Sequence, residues 1–77
     1  MEIGQRLAKN VKRLRDLRGW SQEELGEQAG FHRTYISQVE RAIKNPTIIA
    51  VESLAIALGV SAGELLAEPD QAPAVPI

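Results

Sequence analysis

Residues 20–41, WSQEELGEQAGFHRTYISQVER, decide the fold because they predict two short helices joined by a tight turn. The leading helix of the pair starts at Ser21 and runs to about Ala29, and its partner runs from His32 to about Arg41. The turn between them contains a glycine, and a glycine in a turn of three or four residues allows two helices to cross steeply. The second helix of such a pair can lie in the major groove of DNA.

Apolar residues at helical spacing predict one helix before this pair and another after it. In the helix before the pair, the apolar stripe consists of Ile3, Leu7, Val11 and Leu14. The stripe of the fourth helix consists of Ile48, Val51, Leu54, Ala55 and Leu58. Thr47 is a good N-cap for the fourth helix, and Gly59 ends it.

Two S-x-x-E patterns mark helix starts, because the serine oxygen and the glutamate side chain can each satisfy a free backbone N–H group there. Ser21 and Glu24 form the first pattern. Ser61 and Glu64 form the second, which opens a short fifth helix.

Five short helices joined by connections of two to six residues predict an all-α domain. A chain of 77 residues supports one compact core, and its 44% hydrophobic and 25% charged residues are ordinary values for a globular domain. We expect residues 1–67 to form this domain. Residues 68–77 contain three prolines and too few apolar side chains to pack alone, so we expect a flexible tail there.

Charge is distributed unevenly along the chain, although the net charge is only −1. Residues 1–44 contain all nine Lys and Arg against six acidic residues, whereas residues 45–77 contain four acidic residues and no Lys or Arg. Such polarity predicts a polyanion-binding face in the first part of the chain and a different role for the second.

The composition argues against catalysis and against a membrane location. One histidine, no cysteine and no clustered carboxylates with a partnering base leave nothing for acid–base or metal chemistry, so we expect no enzyme, no metal site and no cofactor. No stretch approaches the ~18 apolar residues that a membrane span needs. The absence of cysteine fits a reducing cytosol, and no small-molecule ligand is evident.

Three blocks of sequence, in this order and spacing, resemble one family. They are WSQEELGEQAG, FHRTYISQVER and NPTIIAVESLAIALGVSAGELL. From about Ile3 to Leu66 the chain is similar to helix-turn-helix regulators of the Cro and phage-repressor (xenobiotic-response-element) type. Within that family, the run from Arg33 to Ser37 followed by Glu40 and Arg41 resembles the small controller proteins of restriction-modification systems.

The resemblance implies that the helix from His32 is a recognition helix with two sets of DNA contacts. The implied base-contacting residues are Arg33, Thr34, Ser37 and Gln38. The implied phosphate-contacting residues are Gln22, Tyr35, Arg41, Lys44, Asn45 and Thr47. The residue chemistry agrees, since Arg can grip guanine, Gln can pair with adenine and Thr can touch the methyl group of thymine. Tyr35 could instead pack on the domain.

Two further positions matter for the resemblance. It implies a partly buried ion pair between Arg15 and Glu40, which are therefore structural residues rather than DNA contacts. Ala42 stands where the family usually has glycine. Either its backbone is left-handed, at a cost of roughly 1 kcal/mol, or the turn is reshaped, which would alter the contacts from Arg41 to Asn45.

Surplus apolar residues predict a second surface. Ile49 and Ile56 are seven residues apart, so they line up on the fourth helix about 100° from its core stripe. Together with Leu65 and Leu66 they would form a two-fold, self-complementary dimer surface. The alternative is that one or more of these residues fold into the core of a single chain.

Together these features predict a cytoplasmic, sequence-specific DNA-binding regulator. It would act as a homodimer on an operator with two half-sites about 34 Å apart, with the third helix in the major groove. The alternative is a protein-interaction module, such as the antitoxin of a toxin–antitoxin pair.

Overall fold

The computed structural model describes residues 1–69 and confirms the all-α prediction. The helices are α1 (Ile3–Leu17), α2 (Gln22–Ala29), α3 (Arg33–Glu40), α4 (Ile48–Leu58) and α5 (Ala62–Leu66). None of the helices in residues 1–69 is long and apolar enough to cross a membrane. Most of the predicted tail lies outside the described residues.

One hydrophobic core is built from side chains of all five helices. Its fully buried large residues are Leu25, Ile36, Leu54, Leu65, Val11 and Val39. The helices α2 and α3 pack against each other, and α1 lies across α3, α4 and α5. The core therefore holds the face of α3 that carries Ile36 and Val39 and leaves its other face free.

The predicted core stripes are wrong at two positions. Ile48 is 86% exposed and Ile3 is 56% exposed, although both were expected in the core. Each stands in the first turn of its helix, and these two turns border an open groove instead of a packed neighbour. In its first turn α4 buries Ala50 instead.

Side-chain caps start four of the helices as the residue types suggest. The Ser61–Glu64 capping box is complete, with both reciprocal hydrogen bonds present. The Ser21 box is only half formed. The Ser21 Oγ accepts from the Glu24 backbone N–H, but the Glu24 carboxylate accepts from the side chain of Gln28. Gln28 lies one turn further along α2, and its side-chain amide takes the Glu24 carboxylate that would otherwise accept from the Ser21 N–H group.

The turn between α2 and α3 depends on two glycines. Gly30 has a left-handed backbone with φ of 82°, and its N–H group and that of Phe31 both donate to the Gly26 carbonyl oxygen at 2.8 Å. Gly26 was not singled out from the sequence. A Cβ atom there would collide with the carbonyl oxygen of Phe31, so glycine permits the close approach of the turn to α2.

Two polar side chains tie the end of the domain to α1. Asn10 is fully buried, and its side-chain amide donates to the carbonyl oxygens of Leu65 and Ala67, at 2.8 Å each. Glu68, the first residue of the predicted tail, pairs with Arg6 at 3.5 Å and with the amino group of Met1 at 3.7 Å. The described chain therefore stays in contact with α1 as far as Glu68.

Candidate nucleic-acid interface

The helix α3 presents a polar face opposite the side that packs into the core. Because α-helical residues advance by about 100°, Thr34, Ser37 and Gln38 point away from Ile36 and Val39. These three lie on the outer face, and the exposed Arg33 stands at its border. The fold thus brings together the four residues that were predicted to contact bases.

His32 fixes the start of α3. Its Nδ1 atom accepts a hydrogen bond from the Thr34 backbone N–H at 3.0 Å, so the imidazole serves as the N-cap of the helix. A cap of this kind satisfies a donor that the helix itself leaves unpaired. The Arg33 side chain therefore projects from a well-defined helix end.

Three cations surround this face without being neutralised. Arg33, Arg41 and Lys44 are exposed, and within residues 1–69 none of them forms an ion pair. Free guanidinium and ammonium groups beside a polar helix face suit a polyanion, because phosphate contacts position a protein on DNA while base contacts read its sequence.

The turn after α3 keeps the shape that the usual glycine would give. Ala42 has φ of 58°, so its backbone is left-handed despite the Cβ atom. The N–H groups of Ile43 and Lys44 donate to the Gln38 carbonyl oxygen at 2.9 and 3.4 Å. This closure returns Lys44 toward α3, which settles the two possibilities raised by the sequence in favour of a strained but unaltered turn.

The ion pair between Arg15 and Glu40 is present, as the resemblance implied. The Arg15 Nε and Nη2 atoms donate to the two carboxylate oxygens of Glu40 at 2.6 and 2.9 Å, and both side chains are largely buried. The hydrogen bonds to Glu40 raise the pKa of Arg15 above its ordinary value, although burial opposes them. Arg15 also donates to the Trp20 carbonyl oxygen, so it links α1 to α3 and to the start of α2.

Three of the predicted phosphate-contacting residues already have partners within the domain. The Gln22 side chain donates to Glu40 at 3.2 Å. The Thr47 hydroxyl accepts from the Ala50 N–H group and caps α4. The Tyr35 ring stacks on Phe31 with 4.6 Å between ring centroids, so the packing alternative applies to its ring. Arg41, Lys44 and Asn45 are exposed beside them.

Acidic residues border the face on the α2 side, a feature that the sequence analysis missed. Glu23 and Glu27 lie one turn apart on α2 and line a shallow cavity of about 410 Å³ with Phe31, His32 and Arg33. Their one-turn spacing could have indicated a shared face. Carboxylates repel a phosphate backbone, so this border limits how far an anion can spread from α3 across α2.

The four residues predicted for the dimer surface differ in exposure. Ile49 is 77% exposed and Ile56 is 73% exposed, on the outward face of α4. Leu66 is half-buried. Leu65 is fully buried in the core of its own chain, so its expected place on a dimer surface is wrong. The short helix α5 packs against α1 and α4, and Leu65 is the residue that it turns inward.

A family model described as Helix-turn-helix matches residues 11–65, which include α2, α3 and α4. The chain belongs to the helix-turn-helix family. A hypothetical transcription factor of Neisseria meningitidis is 48% identical over 65 residues, which are 84% of this chain and 61% of that protein. An HTH-type transcriptional regulator of Sinorhizobium fredii is 41% identical over 73 residues, which are 95% of each protein.

One relative of this chain is named as a control protein. Control protein C.SmaI of Serratia marcescens is 46% identical over 66 residues, which are 86% of this chain and 79% of that protein. This similarity confirms the resemblance to controller proteins that the sequence motifs indicate. The crystal structure of a hypothetical transcription factor from Neisseria has a TM-score of 0.88 at 44% identity, covering 91% of this chain and 80% of that one.

Proposed function

We propose that this helix-turn-helix protein is a sequence-specific DNA-binding transcriptional regulator that acts as a homodimer. The observation that carries the proposal is the outer face of α3, where base-reading side chains stand between free cations. In the proposed complex α3 lies in the major groove, where each base pair presents a distinct pattern of donors and acceptors.

The base-reading residues of the proposal are the four on and beside the outer face of α3. They are Arg33, Thr34, Ser37 and Gln38. Arg33 is suited to guanine, whose O6 and N7 atoms accept two parallel hydrogen bonds, and Gln38 is suited to adenine. The proposal assigns the sequence preference of the protein to these side chains.

Phosphate contacts hold the protein in register on the duplex. The proposed residues are Gln22, Tyr35, Arg41, Lys44, Asn45 and Thr47. Arg41 and Lys44 supply full charges from the end of α3 and the following turn. Gln22 and Thr47 would contact phosphate with groups that their bonds to Glu40 and Ala50 leave available.

Dimerisation covers the apolar strip of α4. Ile49 and Ile56 stand on the outward face of that helix, and Leu66 lies on neighbouring α5. A two-fold partner that presents the same residues would bury this strip and place one α3 in each of two half-sites, about one helical turn of DNA apart. Residues 1–69 show no feature that favours the antitoxin alternative.

The proposed regulator needs neither a cofactor nor catalytic groups, and its proposed location is the cytoplasm. Relatives named as transcriptional regulators and as a control protein support a regulatory role.

Selection from a pool of random DNA duplexes tests the proposal. We expect the purified protein to enrich one sequence with two related half-sites whose centres lie about 10 base pairs apart. A mobility-shift titration should then show binding to that sequence at concentrations where a scrambled duplex stays free. Failure to enrich any sequence, with the protein folded, would contradict the proposal.

A further inference from the structure

The single histidine of the chain, His32, is exposed at the N-terminal end of α3. Its Nδ1 atom accepts a hydrogen bond from the Thr34 backbone N–H group at 3.0 Å. Because a backbone N–H group can only donate, Nδ1 carries no proton in this cap. In a neutral imidazole the other ring nitrogen is then the donor. The cap therefore fixes one tautomer, with the proton on Nε2.

The Nε2–H group of His32 has no acceptor in the described part of the chain. Within residues 1–69 the side chain forms only the hydrogen bond at Nδ1. That bond holds the ring against the first turn of α3, and Nε2 lies on the other side of the ring carbon that joins the two nitrogens. The Nε2–H group therefore points away from the helix, as a donor of fixed direction next to Arg33.

Carboxylates beside His32 distinguish between two kinds of acceptor on DNA. Glu23 and Glu27 line the cavity of about 410 Å³ whose walls also include His32 and Arg33. These carboxylates repel a phosphate group, whereas the edge of a base carries no net charge. In helix-turn-helix complexes the N-terminal residues of the second helix contact base edges. Both arguments favour a base as the partner of Nε2.

A single donor in the major groove distinguishes bases by the acceptor atoms that they present. Guanine presents its N7 and O6 atoms, adenine its N7 atom and thymine its O4 atom. Cytosine presents only its N4 amino group, which is itself a donor. Since two donors that face each other form no hydrogen bond, an Nε2–H group in the groove excludes cytosine from the position that it contacts.

We propose that His32 is a further base-reading residue, whose Nε2–H group donates to a base next to the one that Arg33 contacts. This inference rests on the proposed DNA-binding function and adds one residue to the four assigned to base contacts. The cap already holds the imidazole in place, so the contact costs little side-chain entropy. In each half-site, the position that His32 contacts should disfavour cytosine.

A variant that preserves the cap separates base reading from capping. Serine is among the best N-cap residues, but its side chain is too short to place a donor where Nε2 stands. His32→Ser should therefore unfold at about the same urea concentration as the unaltered protein. His32→Ala loses the cap as well and should unfold at a lower concentration. The DNA affinity of His32→Ser then reports the contact of Nε2 alone.

The unaltered protein and His32→Ser are titrated against the selected duplex, a scrambled duplex and duplexes in which the base pairs of each half-site are replaced one at a time. We expect His32→Ser to lose about fivefold in affinity for each half-site of the selected duplex, the effect of one hydrogen bond, and nothing on the scrambled duplex. Replacing one particular base pair should weaken the unaltered protein but not His32→Ser. Gln28→Ala is the control and should bind like the unaltered protein, since Gln28 is an exposed polar residue of α2 with no assigned DNA contact.

Equal affinities of His32→Ser and the unaltered protein for the selected duplex would overturn the proposal. An equal loss on the selected and scrambled duplexes would also overturn it, because the partner of Nε2 would then be a phosphate. If the unaltered protein itself enriches no sequence, the proposed function fails, and that result is distinct from a failure at His32.

Nitrogen-15 NMR of the unaltered protein tests the tautomer without DNA. The chain has one histidine, so its imidazole signals cannot be confused with those of another residue. At about pH 8, above the range in which histidines usually titrate, we expect the signals of an unprotonated Nδ1 and a protonated Nε2. A proton on Nδ1 instead would remove the fixed donor and overturn the proposal.

Discussion

Ala42 holds a backbone conformation that its side chain disfavours. With φ of 58° it is the only non-glycine residue in residues 1–69 that has a positive φ. We predict that Ala42→Gly raises the free energy of unfolding by about 1 kcal/mol, because glycine adopts this conformation without steric cost. Urea denaturation followed by the fluorescence of Trp20, the single tryptophan, measures it.

The same substitution elsewhere should have the opposite effect. Ala57 lies within α4, where glycine weakens a helix, so Ala57→Gly should lower the free energy of unfolding by about 0.5–1 kcal/mol. If Ala42→Gly destabilised the protein as much as Ala57→Gly does, the left-handed turn would be wrong.

Glu40 should matter far more to stability than Asp16, although each pairs with a cation of α1. Glu40 accepts hydrogen bonds from Arg15 and Gln22 in a largely buried position. Asp16 pairs with Lys12 and, at 3.5 Å, with Arg15, but its carboxylate is exposed. We predict that Glu40→Ala lowers the free energy of unfolding by about 2–3 kcal/mol, because the largely buried Arg15 guanidinium loses both hydrogen bonds to its carboxylate.

Asp16→Ala is the matched control, and it should leave stability nearly unchanged, since solvent and salt screen an exposed pair. Urea denaturation of both variants measures the difference. Equal losses would show that the Arg15–Glu40 pair is not a buried structural link.

The sequence predicts the contacts of some residues but not the backbone conformation of others. The Arg15–Glu40 pair follows from the resemblance, and the structure confirms it. The conformation of Ala42 could not be decided from the sequence, because a left-handed alanine costs only about 1 kcal/mol, which other contacts of the turn can offset. The contacts that offset it are hydrogen bonds of the turn, such as those to the Gln38 carbonyl oxygen.

The crossing of α2 and α3 depends on Gly26. We predict that Gly26→Ala lowers the free energy of unfolding by about 1–3 kcal/mol, because its methyl group would collide with the Phe31 carbonyl oxygen. Gly63→Ala on α5 is the control, since a Cβ atom there meets only ordinary contact and helix propensity improves. Thermal unfolding compares them. A Gly26→Ala variant as stable as Gly63→Ala would show that α2 and α3 do not approach closely.

Periodicity predicts which side of a helix faces the core but not where its neighbours end. Side-chain caps mark the starts of α2 to α5, and glycines follow the ends of α1, α2 and α4, yet Ile48 is exposed and Leu65 is buried. Ile48 lies on the side of α4 next to the open groove, and Leu65 lies where α5 meets α1 and α4. Gly26 gave no local signal either, because a close approach to the turn is a tertiary contact.

The apolar strip of α4 should control the oligomeric state of the whole molecule. We predict that Ile49→Glu with Ile56→Glu gives a folded monomer, because charged side chains on both copies would oppose each other across the two-fold axis. Analytical ultracentrifugation measures the mass. Leu17→Glu is the control, since Leu17 is a similarly exposed apolar residue that belongs to α1 and not to the strip of α4. An unchanged dimer mass in the double variant would exclude this strip as the interface.

The uneven charge along the sequence corresponds to two different regions of the fold. Free cations lie around α3, and the apolar strip lies on α4 in the part of the chain without Lys or Arg. The border formed by Glu23 and Glu27 was not predicted, because its position depends on how α2 crosses α3.

The most direct test of DNA reading by α3 compares Arg33→Ala with Arg41→Ala. Both variants lose one exposed arginine. In the proposal, Arg33 contacts the edge of a base and Arg41 contacts a backbone phosphate. Each variant is titrated against the selected duplex and a scrambled duplex at several salt concentrations. We predict that Arg33→Ala loses about 1–3 kcal/mol on the selected duplex and little on the scrambled one. Arg41→Ala should weaken both alike and reduce the salt dependence of binding. An unchanged preference of Arg33→Ala for the selected duplex would contradict the assignment of α3 as the reading helix.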